Sequence, residues 1–105
     1  MTGPGDRIKE LRKKKGYTLE KLAELAESSK SYIWELENKQ PPRPSADKIA
    51  KIARVLGVTP EYLLDPEVTN LADATDEAFY RKYRRMPPAT KERFRRMIEV
   101  WDDDK

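Results

Sequence analysis

The chain has 105 residues, 39% of them charged and 37% apolar, with a mean hydropathy of −0.93, enough for one small domain with an appendage. With no Cys and no His it has no disulfide framework, no thiolate or imidazole metal site and no nucleophile–imidazole pair, so neither a metal nor another cofactor nor catalysis is expected. Its apolar runs are too short to span a bilayer and Met1–Asp6 lacks the apolar core of a secretory signal, so a cytoplasmic protein with no membrane partner is expected.

The net charge of +3 is unevenly distributed. Residues 1–66 carry 13 Lys/Arg and 10 Asp/Glu, and residues 67–105 carry nine of each. The second set is sorted into blocks: four acids from Glu67 to Glu77, eight bases against Glu92 alone from Arg81 to Arg96, then four acids and one base from Glu99 to Lys105. A chain sorted this way is not one uniformly solvated surface.

No segment alternates apolar and polar residues in the manner of a strand. Apolar residues recur at three and four, the period of amphipathic helices, so an all-α protein is expected. Ile8 and Leu11 mark a first helix from about Asp6, its expected N-cap, to Lys15, with Gly16 placed for a left-handed cap. Thr18 caps a second helix, whose Leu19, Leu22, Ala23, Leu25 and Ala26 are expected to be buried. Glu27-Ser28-Ser29 interrupts it. Ser29 then caps a third helix, Lys30 to Asn38, with Ile33 and Leu36 facing inward. Three prolines keep Lys39 to Pro44 out of any helix. Ser45 caps a fourth helix carrying Ile49, Ile52, Ala53 and Leu56, which Gly57 ends. Thr59-Pro60-Glu61 opens a short fifth helix with Tyr62, Leu63 and Leu64.

Residues 67–72 read as a linker, which divides the chain into a domain at 1–66 and a helical segment at 67–105. Asp73 is the expected start of a sixth helix, with Phe79, Tyr83 and Met86 at i, i+4 and i+7. Pro87-Pro88 breaks it. A seventh carries Phe94, Met97, Ile98 and Trp101 at i, i+3, i+4 and i+7, and the run from Asp102 to Lys105 is expected to fray. Two short helices with one apolar stripe each bury little alone. The basic block is open to two readings: a phosphate-binding strip, or the solvated side of helices that pair with a second copy. The apolar stripes favour the pairing, so Phe79, Tyr83, Met86, Phe94, Met97, Ile98 and Trp101 are the candidate dimerisation residues.

The second and third helices, joined by a turn of about three residues, fit a helix-turn-helix. Lys30, Ser31, Trp34, Glu35 and Asn38 lie on the exposed side of the third helix. Its N-terminus and the donors Lys39, Gln40 and Arg43 beyond its end suit docking into the major groove of double-stranded DNA.

The runs Thr18–Ala26 (TLEKLAELA), Ser29–Asn38 (SKSYIWELEN) and Ile49–Val58 (IAKIARVLGV), followed by Thr59-Pro-Glu-Tyr-Leu-Leu64, resemble the Cro/XRE class of helix-turn-helix regulators over about residues 5–65. The resemblance implies a five-helix, phage-repressor-like DNA-binding domain. It implies base-facing positions at Lys30, Ser31 and Glu35, and sugar-phosphate contacts at Ser29, Tyr32, Asn38 and Arg43. It also implies an Arg12–Glu37 ion pair between the first and third helices. Three departures stand out. Leu19 replaces a frequent phosphate-binding Gln, Glu27-Ser28 replaces a common Gly and aliphatic residue, and Trp34 replaces a small or polar one. Trp34 is open to two readings: contact with a thymine methyl, or packing along its own domain or a partner protein. Glu35 either accepts from a cytosine amino group or pairs with Lys39 at i+4.

The function expected from this reading is a sequence-specific DNA-binding transcriptional regulator, a homodimeric repressor on a palindromic operator. The alternatives are an antitoxin-like or phage-type regulator whose C-terminal segment binds a protein, and a protein-bridging module without DNA binding.

Overall fold

The computed structural model describes residues 3–39 and 44–103, which form seven helices and no strand. Most of the helices start where a short polar side chain can accept an otherwise orphaned amide. Thr18 accepts from the Lys21 N–H before α2 (Leu19–Leu25), and Ser29 from Tyr32 N–H before α3 (Lys30–Asn38). Ser45 accepts from Lys48 N–H before α4 (Ala46–Leu56), and Thr59 from Tyr62 N–H before α5 (Pro60–Leu64). Asn70 does the same for Asp73 N–H before α6 (Leu71–Arg84), and α7 (Pro88–Asp103) starts on the second proline of the Pro87-Pro88 pair.

Three boundaries differ from expectation. α1 spans Pro4–Lys14 with Gly3 as N-cap, and Asp6 is its third residue, accepting from the Gly3 N–H at 3.1 Å. The carboxylate caps from inside the first turn rather than from in front of it. α6 starts at Leu71 rather than Asp73, because Asn70 takes the cap. α7 includes Asp102 and Asp103, and the rest of the run expected to fray, Asp104 and Lys105, lies outside the described residues. Gly16 adopts the expected left-handed conformation (φ 75°), and the amides of Gly16 and Tyr17 return to the carbonyls of Lys13 and Arg12.

The core is formed by Ile8, Leu11, Leu22, Ala23, Ala26, Ile33, Leu36, Ile49, Ile52, Ala53, Leu56, Val58 and Leu63, joined from α6 by Ala74. Leu25, expected inside, is 41% exposed. The seven-residue α2 has room for only one buried face, and Leu22, Ala23 and Ala26 occupy it.

Two buried cations tie distant segments together. Arg12 meets Glu37 through Nε and Nη2, at 2.7 and 3.0 Å, and donates to the Tyr17 carbonyl at 2.9 Å. Arg7 donates to the carbonyls of Tyr62, Asp65, Pro66 and Val68 and lies 4.4 Å from the centre of the Tyr62 ring. The stretch after α5, read as a linker, is therefore held against α1. α1 also closes on α3 at Gly5, where a Cβ would stand 2.1 Å from the Leu36 carbonyl oxygen.

α6 and α7 form a hairpin seamed by aromatic edges: Phe94 meets Phe79 at 6.1 Å and Tyr83 at 6.4 Å between ring centres. Arg81 reaches Glu61 of α5 at 3.1 Å and Glu77 at 3.2 Å, and these hydrogen bonds, the one to Glu61 foremost, raise its pKa. The radius of gyration is 15.7 Å, against about 13 Å for a compact globule of this length. The hairpin accounts for the excess, since Ala74 is its one core residue among those described.

Candidate nucleic-acid interface

α3 is seated by its inner face and open on its outer one. Ile33 is fully buried, Leu36 and Glu37 nearly so, and Arg12 clamps Glu37 from α1. Position and tilt are thus set by apolar packing near the middle and a bidentate ion pair near the C-terminal end. The turn before it closes when Glu27 takes a left-handed conformation (φ 54°), with Ser28 N–H donating to the Ala23 carbonyl at 2.8 Å. The absence of Gly at this turn therefore changes its strain, not its geometry. The buried Ser28 Oγ has no hydrogen-bond partner among the described residues.

Lys30, Ser31, Trp34, Glu35, Asn38 and Lys39 are all exposed, as expected, and Lys30, Ser31, Trp34 and Glu35 together line a shallow recess. Lys30 Nζ is held by Glu20 of α2 at 2.9 Å, both side chains remaining solvated. Trp34 is 45% exposed and is not part of the core cluster among the described residues. Lys39 Nζ lies 5.8 Å from its ring centre, and no Lys39–Glu35 ion pair forms among the described residues. The Asn38 side-chain amide donates to the Trp34 carbonyl at 2.9 Å. Ser29 spends an acceptor on its capping bond but keeps its hydroxyl proton. Tyr32 Oη accepts from Ser45 N–H at 3.1 Å and likewise keeps a proton to donate, with Lys48 Nζ 4.3 Å from its ring centre. Gln40 and Arg43 lie outside the described residues.

The outer face of α3 thus presents cations, hydroxyl protons, an amide and one indole around a fixed axis. Such a set can hydrogen-bond base edges and neutralise phosphates. The sequence did not disclose the Glu20–Lys30 pair, because only the fold brings α2 and α3 side by side.

The hairpin supplies a second surface. Phe79, Met97, Ile98 and Trp101 are each about half exposed or more, while Tyr83 and Phe94 are partly covered in the seam; Met86, expected on the sixth helix, is partly covered too but lies past its end, since α6 stops at Arg84. Tyr80 and Val100, which fall off both expected stripes, are exposed as well. The basic block is partly neutralised within the chain, by Arg81 with Glu61 and Glu77 and by Arg95 and Arg96 with Glu92. Among the described residues there is no cluster of three or more metal-ligating side chains, and no helix is long and apolar enough to cross a membrane.

A short capped helix, a tight turn and a second helix with a buried inner face and a polar outer one, braced by three further helices, define a helix-turn-helix module. The helix-turn-helix family profile matches residues 8–63, and the chain belongs to that family, in its Cro/XRE branch. It is 44% identical over 61 residues to the HTH-type transcriptional regulator SinR of Bacillus subtilis, and 43% over 61 residues to SinR of Bacillus licheniformis. The matched stretch is 58% of this chain and 55% of each relative, so the chain spans about half the length of the curated relatives it matches.

Among solved structures, the N-terminal DNA-binding domain of Bacillus subtilis SinR aligns with a TM-score of 0.58 and 42% identity, covering 62% of this chain and 94% of that one. SinR in complex with DNA aligns at a TM-score of 0.56 and 44% identity, covering 59% and 98%. A chain of the SinR–SinI protein complex aligns at a TM-score of 0.58 and 34% identity, over 96% of this chain and 98% of that one.

Proposed function

We propose that this protein is a sequence-specific DNA-binding transcriptional regulator, acting in the cytoplasm as a homodimeric repressor that occupies a palindromic operator and performs no chemistry. The observation that carries the reading is α3 itself, locked by Ile33, Leu36 and the Arg12–Glu37 pair with its polar face turned outward. The 44% identity to a SinR domain solved on DNA supports it. Lys30, Ser31 and Glu35 are the base-facing residues, with Trp34 beside them. Ser29, Tyr32, Asn38, Lys39 and Arg43 hold the sugar-phosphate backbone. Residues 1–66 bind DNA, and residues 67–105 join two copies through Phe79, Tyr83, Met86, Phe94, Met97, Ile98 and Trp101.

A second reading gives the hairpin another protein as partner, with DNA binding as autoregulation. Its exposed apolar surface and the match along 96% of the chain to a protein solved with SinI favour it. A co-purifying partner that protects residues 67–105 from proteolysis separates the two.

Selection of bound sequences from random DNA tests the main reading. A defined, two-fold related motif bound in a salt-sensitive manner is expected. Lys30→Ala or Ser31→Ala then relaxes preference at one position by about 1–3 kcal/mol. Unchanged profiles for both variants remove α3 from base readout, and no binding even at low salt leaves a protein-bridging module.

A further inference from the structure

We propose that Trp34 is a specificity-determining residue that reads the C5-methyl group of a thymine in each half-site. This deepens the proposed function and rests on it. The indole stands on the outer face of α3, one turn beyond Lys30 and Ser31 and next to Glu35, with which it lines the recess. At 45% exposure it is the one large apolar surface on that face among the described residues, and it is not part of the hairpin's apolar surface. Cations border it on both sides: Lys30, drawn toward Glu20, at the start of the helix, and Lys39, 5.8 Å from the ring centre, at its end. An apolar plate between two cations matches a groove whose walls are phosphates and whose floor presents a methyl.

The chemistry narrows the choice of base. Indole has one N–H donor and no acceptor. Against the N7, O6 or amino groups of the other bases its carbon face would displace water and return no hydrogen bonds. The thymine methyl is the apolar group of the major groove, and covering it with indole removes apolar surface on both sides from water. Asn38, bound to the Trp34 carbonyl, shares the helix turn that carries the ring.

The test uses the full chain and the duplex recovered by selection, with each thymine replaced singly by uracil, which deletes the methyl and keeps the pairing. Affinities are read by anisotropy of a labelled duplex at fixed salt. A uracil in one half-site is expected to weaken binding about fourfold, and the same change in both half-sites about sixteenfold. Cytosine at that position weakens binding further, and 5-methylcytosine recovers about the fourfold factor. In Trp34→Ser the uracil and thymine duplexes bind alike, while Trp34→Phe retains part of the difference. Circular dichroism confirms that both variants fold, as an exposed position requires.

A flat uracil scan with the unaltered protein on a selected operator overturns the inference and leaves the proposed function standing. So does methyl dependence that survives in Trp34→Ser, or a Trp34→Ser change that alters self-association instead of base preference. Failure to select any sequence overturns both.

Discussion

The two regions of the molecule are both helical and differ in where their apolar residues go. Among the described residues, the region up to residue 66 holds 13 of the 14 buried apolar side chains, and the α6–α7 hairpin holds one, Ala74. Six of the nine exposed large apolar residues among those described lie on the hairpin. The first region closes its core with its own helices. The second has paired its two helices through Phe79, Tyr83 and Phe94 and still shows Met97, Ile98, Val100 and Trp101 to solvent. An exposed stripe of that kind marks an association surface, whereas the first region buries most of its apolar residues and offers a polar face on α3.

The comparison is broken most strongly by leaving a buried charge unpaired in the first region. Glu37→Ala leaves Arg12 buried without its carboxylate, and a loss of about 3–5 kcal/mol in urea unfolding is expected. A loss below 1 kcal/mol would mean that Arg12 re-solvates and that α3 is held by packing alone. Next comes a matched pair of truncations. Ile33→Ala empties a fully buried position and should cost about 2–5 kcal/mol. Ile98→Ala, 53% exposed, should cost under about 0.5 kcal/mol in monomer stability while weakening self-association. Equal costs would contradict the division.

Smaller effects sharpen the comparison at the turn and beyond α3. Glu27→Gly relieves a left-handed residue (φ 54°) and should stabilise by about 0.5–1 kcal/mol. The exposed Lys51–Glu27 contact at 3.7 Å that it removes is worth little. A lower melting temperature would show that the Glu27 side chain matters more than its backbone strain. Arg43→Ala should weaken binding to all sequences alike and reduce the salt slope by about one. A sequence-dependent loss would place Arg43 in a groove.

What could be read beforehand followed the range of the signals. Thr18, Ser29, Ser45 and Thr59 act on amides three residues away, so their helix starts were legible from local sequence. Gly3 has no capping side chain, so local sequence points to Asp6 as the cap, whereas its carboxylate closes the turn from within. Asn70 sits inside the stretch 67–72 that reads as a linker, which hides its capping role before α6. Arg7 carried no local signal: its acceptors are backbone carbonyls 55–61 residues away. On the candidate DNA face, helical spacing was enough to pick the exposed side of α3. It could not show that Lys39 lies over Trp34 or that Lys30 turns to Glu20, because those contacts depend on side-chain reach and on a neighbouring helix.

Sedimentation equilibrium of the full chain beside a Phe94→Ala, Trp101→Ala double variant bears most directly on the division of labour between the two regions. Phe94 seams the hairpin and Trp101, 64% exposed, lies on its open stripe. The unaltered chain should sediment as a dimer at micromolar concentration. The double variant should be a monomer that keeps the cooperative unfolding of its first five helices and loses tight operator binding. A variant that remains dimeric would contradict the division. It would move the contact between copies into the helix-turn-helix module, around α5 where Leu64 is 41% exposed, and leave the hairpin as a docking segment for another protein.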